Sequence, residues 1–132
     1  YSRRIRTLSS MIVLDTNIVI AFFGEEEKVV KALEKALEDG ETILLPTIVK
    51  AETLGYQGIN DDTMARMLQW FKDVILIQLD SELAERAAFL RRERRLKIID
   101  CVIAATALAH NAKLATRDEE FERIAELNLL KW

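Results

Sequence analysis

Two aspartates stand where short apolar runs break off, and a third sits inside one. Asp15 ends the run Met11-Ile12-Val13-Leu14, and Asp118 follows Leu114-Ala115-Thr116 after a single arginine, Arg117. Asp100 sits inside Lys97-Ile-Ile-Asp-Cys-Val-Ile-Ala-Ala-Thr-Ala-Leu108, a stretch otherwise almost wholly apolar. A carboxylate in such surroundings is costly to bury unless a helix N-terminus or a cation offsets its charge. Glu52 is a fourth acid of this kind, set among Ile48, Val49, Ala51 and Leu54. Taken singly, each has a plainer reading. Asp15 and Asp100 can cap helices, Asp118 can be a turn residue, and Glu52 can be a solvated helix residue.

Taken together, the four acids describe a different chemistry. If they converge, like charges are held a few ångströms apart, and either some take up protons or a cation sits among them. A donor set of oxygens without thiolate or imidazole suits Mg2+ or Mn2+ better than zinc. The reaction such a centre serves is hydrolysis of a phosphodiester, with the metal activating water and stabilising charge on the phosphate. His110 is the sole histidine and Cys101 the sole cysteine, which excludes zinc sites and triads that need several histidines, and any intramolecular disulfide. Cys101 reads as a small buried residue.

The elements that must position these acids follow from the hydrophobic pattern. Met11 to Leu14 reads as a strand buried on both faces, and Asp15-Thr16-Asn17 offers caps for a short helix over Ile18 to Phe23. Glu25 to Asp39 has amphipathic spacing and Gly40 behind it; Thr42 to Leu45 is a second strand closed by Pro46. Thr47 is a candidate cap for a helix reaching about Gly55, Asp61 to Lys72 is helical, and Val74 to Leu79 a third strand. Asp80-Ser81 opens a long helix, Ile98 to Asn111 is a buried one, and Lys113 to Ala115 is a strand. Glu119 to Glu126 is expected to be a helix and Leu127 to Leu130 a last strand. Strands alternating with helices predict an α/β domain with a parallel sheet, in which ligands sit beyond the carboxyl ends of the strands. That is where Asp15 and Asp118 fall.

A chain of 132 residues suits a single domain, and half of it is hydrophobic, enough for a sizeable core. Residues 1–10 show no clear period and are set apart as an N-terminal extension; the domain is expected over 11–132. The net charge of −3 does not advertise nucleic-acid binding. Its distribution is more telling: Arg86, Arg91, Arg92, Arg94, Arg95 and Lys97 face only Glu93 within one short stretch. Arg91, Arg92, Arg94, Arg95 and Lys97, with Arg117, are therefore candidates for binding a phosphate backbone, the plainer alternative being a solvated face with pairs such as Glu82–Arg86. No run is long enough to span a membrane and no secretory signal is visible, so a cytoplasmic location is the expectation.

Val13-Leu14-Asp15-Thr16-Asn17, Ala51-Glu52, Ile99-Asp100-Cys101-Val102-Ile103-Ala104-Ala105-Thr106-Ala107 and Leu114-Ala115-Thr116-Arg117-Asp118-Glu119-Glu120-Phe121 together resemble the PIN domain, and within it the VapC-type toxins of toxin–antitoxin pairs. The likeness runs from Met11 to the C-terminus in the right order. It implies a PIN-like three-layer α/β/α fold, with a central parallel sheet of four to five strands and an acidic pocket at the sheet's edge. It also implies a Mg2+- or Mn2+-dependent ribonuclease with Asp15, Glu52, Asp100 and Asp118 as catalytic metal ligands. Thr16, Asn17 and Thr116 support them, and Glu119 and Glu120 lie close to the fourth position. Water would attack the phosphodiester in line, leaving a 5′-phosphate and a 3′-hydroxyl. A homodimer and a cognate antitoxin are implied as well; Phe22, Phe23, Leu33 and Leu37 could line a groove for the antitoxin, and core packing explains them equally well. Two alternatives remain: a housekeeping RNA-processing nuclease of the same fold, and a non-catalytic PIN-fold binding module. Trp70, Phe71 and Trp132 are expected in packing rather than in base stacking.

Overall fold

The computed structural model describes residues 10–132, so the N-terminal extension lies outside the described residues except for Ser10. Five strands, β1 (Met11–Leu14), β2 (Thr42–Pro46), β3 (Ile75–Ile77), β4 (Lys113–Ala115) and β5 (Leu129–Leu130), form one sheet. Its order is β3-β2-β1-β4-β5, and every pairing is parallel. The register sets Val13 opposite Leu44 on one side and Leu114 on the other. Val13, Leu14, Leu45, Leu114 and Ala115 have no measurable exposure, as strands covered on both faces should.

Six α-helices fill the connections among the described residues: α1 (Thr16–Phe23), α2 (Glu27–Glu38), α3 (Thr47–Leu54), α4 (Asp61–Phe71), α5 (Ser81–Arg94) and α6 (Ile98–Ala109). The chain steps outward from β1 to β2 to β3, then returns across the sheet to open its other half at β4. Since the chain reverses direction across the sheet after β3, crossovers of the usual right hand put α1 to α4 on one face and α5 and α6 on the other. The reversal between β1 and β4 is a topological switch point, where a crevice opens beyond the strands' carboxyl ends.

Local chemistry explains the pieces that frame this crevice. Val29, Leu33 and Ala36 of α2 fall on one face and are buried, while the pairs Lys31–Glu27 and Lys35–Asp39 lie outside. In α6 every residue from Cys101 to Ala107 is buried, so this helix lies inside the core, against β1, β2, β4 and α5. The turn from α5 into α6 is tight: Arg95 takes a left-handed φ of 59°, Leu96 is buried, and the Arg91 guanidinium donates to the Leu96 carbonyl at 2.7 Å.

Several expected boundaries move. The third strand contracts to Ile75–Ile77 and the last to Leu129–Leu130. Pro46, not Thr47, occupies the N-cap of α3, and no side chain caps that helix. The helix expected over Glu119 to Glu126 is a short 3-10 helix, Glu119–Arg123. Phe121 and Ile124 are both buried there, and a spacing of three sets side chains above one another in a 3-10 turn, a better fit to that pair than an α-helical turn.

Candidate functional site

Asp15 is the hinge of the arrangement. Its backbone N–H extends the β1–β4 ladder to the Ala115 carbonyl at 3.0 Å, while its own carbonyl accepts from Ile18 N at 3.0 Å and so begins α1. The side chain turns back into the crevice with only 6% of its surface exposed. Its Oδ1 accepts from Thr16 N at 2.8 Å, and its Oδ2 from the Thr116 hydroxyl at 2.6 Å and from Asn17 Nδ2 at 3.2 Å. Burial pushes this carboxyl above the usual range. The hydrogen bonds from Thr116 and Thr16 oppose the shift, and the charges of Asp118 and Glu52 add to it.

Thr116 joins the two central strands chemically. Its hydroxyl gives its proton to Asp15 and accepts from Asp118 N at 3.0 Å. Asp118 in turn caps the 3-10 helix, Oδ1 accepting from Glu120 N at 2.9 Å. Asn17 reaches over from α1, its side-chain oxygen accepting from Arg117 N at 3.4 Å. On the other flank, Glu52 of α3 accepts the Thr16 hydroxyl through Oε1 at 2.6 Å. One chain of hydrogen bonds thus runs Glu52–Thr16–Asp15–Thr116–Asp118 across the mouth of the sheet.

Asp100 enters from the opposite layer, in the first turn of α6. Its carboxyl is pushed up to about 6, first by burial, then by the charges of Asp118 and Asp15; Lys97 pulls it down and Glu120 adds a smaller push upward. Acids drawn from four separate stretches of sequence are therefore linked at the carboxyl ends of β1 and β4: Asp118 and Asp15 act on Asp100, Asp118 and Glu52 on Asp15, and Glu120 adds to the field at Asp100. Among the described residues, no three His, Cys, Asp or Glu side chains stand in an arrangement ready to hold a metal ion. One oxygen of Glu52 is spent on Thr16, one of Asp118 on the Glu120 amide, and both of Asp15 on three donors. In its chemistry the donor set, oxygen alone, suits a hard divalent cation.

The basic candidates divide. Arg91 is spent on the α5–α6 turn, and Arg94 on a fork to both Glu126 oxygens at 3.0 and 3.2 Å and on the Arg123 carbonyl at 2.9 Å. Arg117 clamps Glu26. Arg92, Arg95 and Lys97 are exposed and make no salt bridge among the described residues, and Lys97 acts electrostatically on Asp100. The Glu82–Arg86 pair stands at 3.7 Å.

Glu26 is the residue that sequence reasoning passed over. It lies 91 positions from Arg117 and carries no motif of its own, so only the folded chain reveals the contact. Trp70 packs in an aromatic cluster with Phe22, Phe23 and Phe71, at centroid distances of 5.1 to 5.9 Å between neighbouring rings. Cys101 is buried.

The fold has counterparts among known proteins. Over 92% of this chain and 98% of the other, the fold is similar to that in the crystal structure of VapBC2 from Rickettsia felis bound to a DNA fragment from their promoter, with 25% identity and a TM-score of 0.78. A toxin–antitoxin complex from Klebsiella pneumoniae is similar at 26% identity and a TM-score of 0.76, covering 91% and 96% of the two chains. FitAcB from Neisseria gonorrhoeae is similar at 27% identity and a TM-score of 0.73, covering 92% and 97%. The family model described as the PIN domain matches residues 12–127, which spans β1 through the 3-10 helix and takes in all four acids of the crevice. The chain belongs to the PIN domain family.

Proposed function

We propose that this protein is a metal-dependent ribonuclease and the toxin of a VapBC-type toxin–antitoxin pair. One observation carries the reading: Asp100, in the first turn of α6, is half-buried in the field of Asp118 and Asp15, which follow β4 and β1, and burial together with those charges raises its carboxyl to about 6. Stacking like charges there is unfavourable in a protein with no use for them, and a divalent cation relieves it. The likeness to solved toxin–antitoxin complexes, at 25 to 27% identity over nearly the whole chain, supports the toxin assignment.

In this reading Asp15, Asp100, Asp118 and Glu52 hold Mg2+ or Mn2+, which when bound stabilises charge on the phosphate and makes water a better nucleophile. The protein's own residues do the positioning. Thr116 and Asn17 hold the Asp15 carboxylate in one orientation, and Thr16 steers Glu52. Arg92, Arg95 and Lys97, the exposed members of the basic stretch, supply the phosphate contacts that let RNA approach an acidic centre. The protein works in the cytoplasm as a homodimer and is silenced by an antitoxin encoded beside it. Leu37, 54% exposed at the rim of the first two helices, and the partly covered Phe22 offer apolar contacts for that partner; Phe23 and Leu33 are committed to the core. No helix among the described residues is long and apolar enough to cross a membrane.

The test is cleavage of single-stranded RNA with Mg2+ or Mn2+ added. Cleavage should vanish in EDTA and in a folded Asp100→Asn variant; activity surviving either treatment overturns the reading. The one observation favouring a non-catalytic module is that, among the described residues, no three acids are pre-arranged around one point. Calorimetric titration with Mn2+ separates the two readings: a ribonuclease binds the ion, and a module that has lost its chemistry does not.

A further inference from the structure

We propose that Glu26 and Arg117 are a positioning pair that sets the separation of Asp15 and Asp118, an inference that rests on the metal-dependent reading above. The Arg117 guanidinium grips Glu26 with two nitrogens, Nη2 to Oε1 at 2.6 Å and Nη1 to Oε2 at 3.0 Å, and its Nε donates to the Trp132 carbonyl at 3.1 Å. All of its fork is used, a geometry lysine cannot reproduce.

What the pair connects gives it consequence. Glu26 sits at the N-cap of α2, one residue after Glu25 in a left-handed conformation, so it marks the far end of α1. Arg117 lies between Thr116 and Asp118. Its backbone N–H already holds the near end of α1 through Asn17, and Thr116 holds Asp15. The loop after β4 therefore grasps α1 at both ends. Held near both ends, α1 is restrained from shifting against the loop that carries Asp118, and so is the acid at its N-terminus.

Stability is a poor explanation for the pair. The two side chains are 36% and 51% exposed, and ion pairs in such positions contribute little to folding. Their fixed two-point geometry suits orientation instead, in the way partners behind a metal's ligands govern its affinity.

The experiment compares wild type with Glu26→Ala, Arg117→Ala, Arg117→Lys and the exchanged pair Glu26→Arg with Arg117→Glu. It reads the melting midpoint in EDTA, Mn2+ affinity by calorimetry, and kcat and KM on single-stranded RNA. Each single variant should melt close to wild type, yet bind Mn2+ and turn over about tenfold less well with KM unchanged. Arg117→Lys should resemble Arg117→Ala, and the exchanged pair should recover much of the loss. The proposal is overturned if the single variants stay within about twofold of wild type in Mn2+ affinity and kcat, or if the exchanged pair is as impaired as the two losses combined. A wild-type protein that binds Mn2+ but cleaves no RNA sinks the ribonuclease reading alone, because Mn2+ affinity still decides the pair. A wild-type protein that does not bind Mn2+ sinks both.

Discussion

Asp100 shows how a single carboxyl carries a conflict that the rest of the molecule must manage. Burial and the charges of Asp118 and Asp15 raise it to about 6, whereas in the unfolded chain it titrates near the ordinary 3.8. Between those values the folded protein keeps a proton that the unfolded chain has lost. Stability therefore falls as pH rises from about 4 to about 6, and the whole penalty is present at neutral pH. In metal-free protein, Asp100→Asn is expected to raise stability at pH 7.5 and to change it much less at pH 4, while abolishing cleavage. Urea unfolding in EDTA at the two pH values checks this; a variant less stable than wild type at pH 7.5 contradicts it. The residue scale is also where the sequence was most readable. A lone aspartate inside an apolar helix, and an aspartate closing an apolar strand, are visible without coordinates because their surroundings are wrong for a charge. Glu52 was less visible, since its meaning depends on the Thr16 hydroxyl, 36 residues away.

The elements were legible wherever one hydrophobic period ran long enough to be read. The cores of α2, α5 and α6 lie inside the predicted spans because amphipathic or wholly apolar patterns extend over a dozen residues or so. The misses cluster in short segments, where too few residues repeat for a period of three to be told from one of three and a half or four. Phe121 and Ile124 are the example. The basic stretch illustrates another limit. Six cations within twelve residues looked alike, and only packing separates Arg91, which ties down the α5–α6 turn, and Arg94, which is bonded to Glu126 and the Arg123 carbonyl, from Arg92, Arg95 and Lys97, which face solvent. Arg95 carries a second burden, because its φ of 59° closes α5 in a conformation that glycine adopts without strain. Arg95→Gly is expected to stabilise the protein by up to about 1 kcal/mol in thermal unfolding. If Arg95 also meets RNA, the same change raises KM, so the substitution moves stability and substrate binding in opposite directions. A destabilised variant would mean that the side chain holds the turn.

At the scale of the whole molecule, the crevice lies between β1 and β4, the central strands, rather than on a peripheral loop. Asp15 is bonded into the sheet through Ala115, and Thr116 ties its carboxylate to the second central strand. Opening the site locally would break the middle of the sheet, so an ion bound there is coupled to global unfolding. By mass action a ligand at about a hundred times its dissociation constant stabilises the folded state by about 2.7 kcal/mol, on the order of 10 °C in melting temperature for a chain of this length. Saturating Mn2+ is therefore expected to raise the melting midpoint by that order at pH 7.5. At pH 5 the rise should be smaller, because Asp100 then holds a proton that the ion must displace. Asp100→Asn should remove most of the effect at either pH, since the variant has lost both the ligand and the repulsion that the ion relieves. Differential scanning calorimetry with and without EDTA makes the comparison. Equal Mn2+ shifts in wild type and Asp100→Asn would mean that the ion binds elsewhere on this acidic chain and that the four carboxylates do not form a common site.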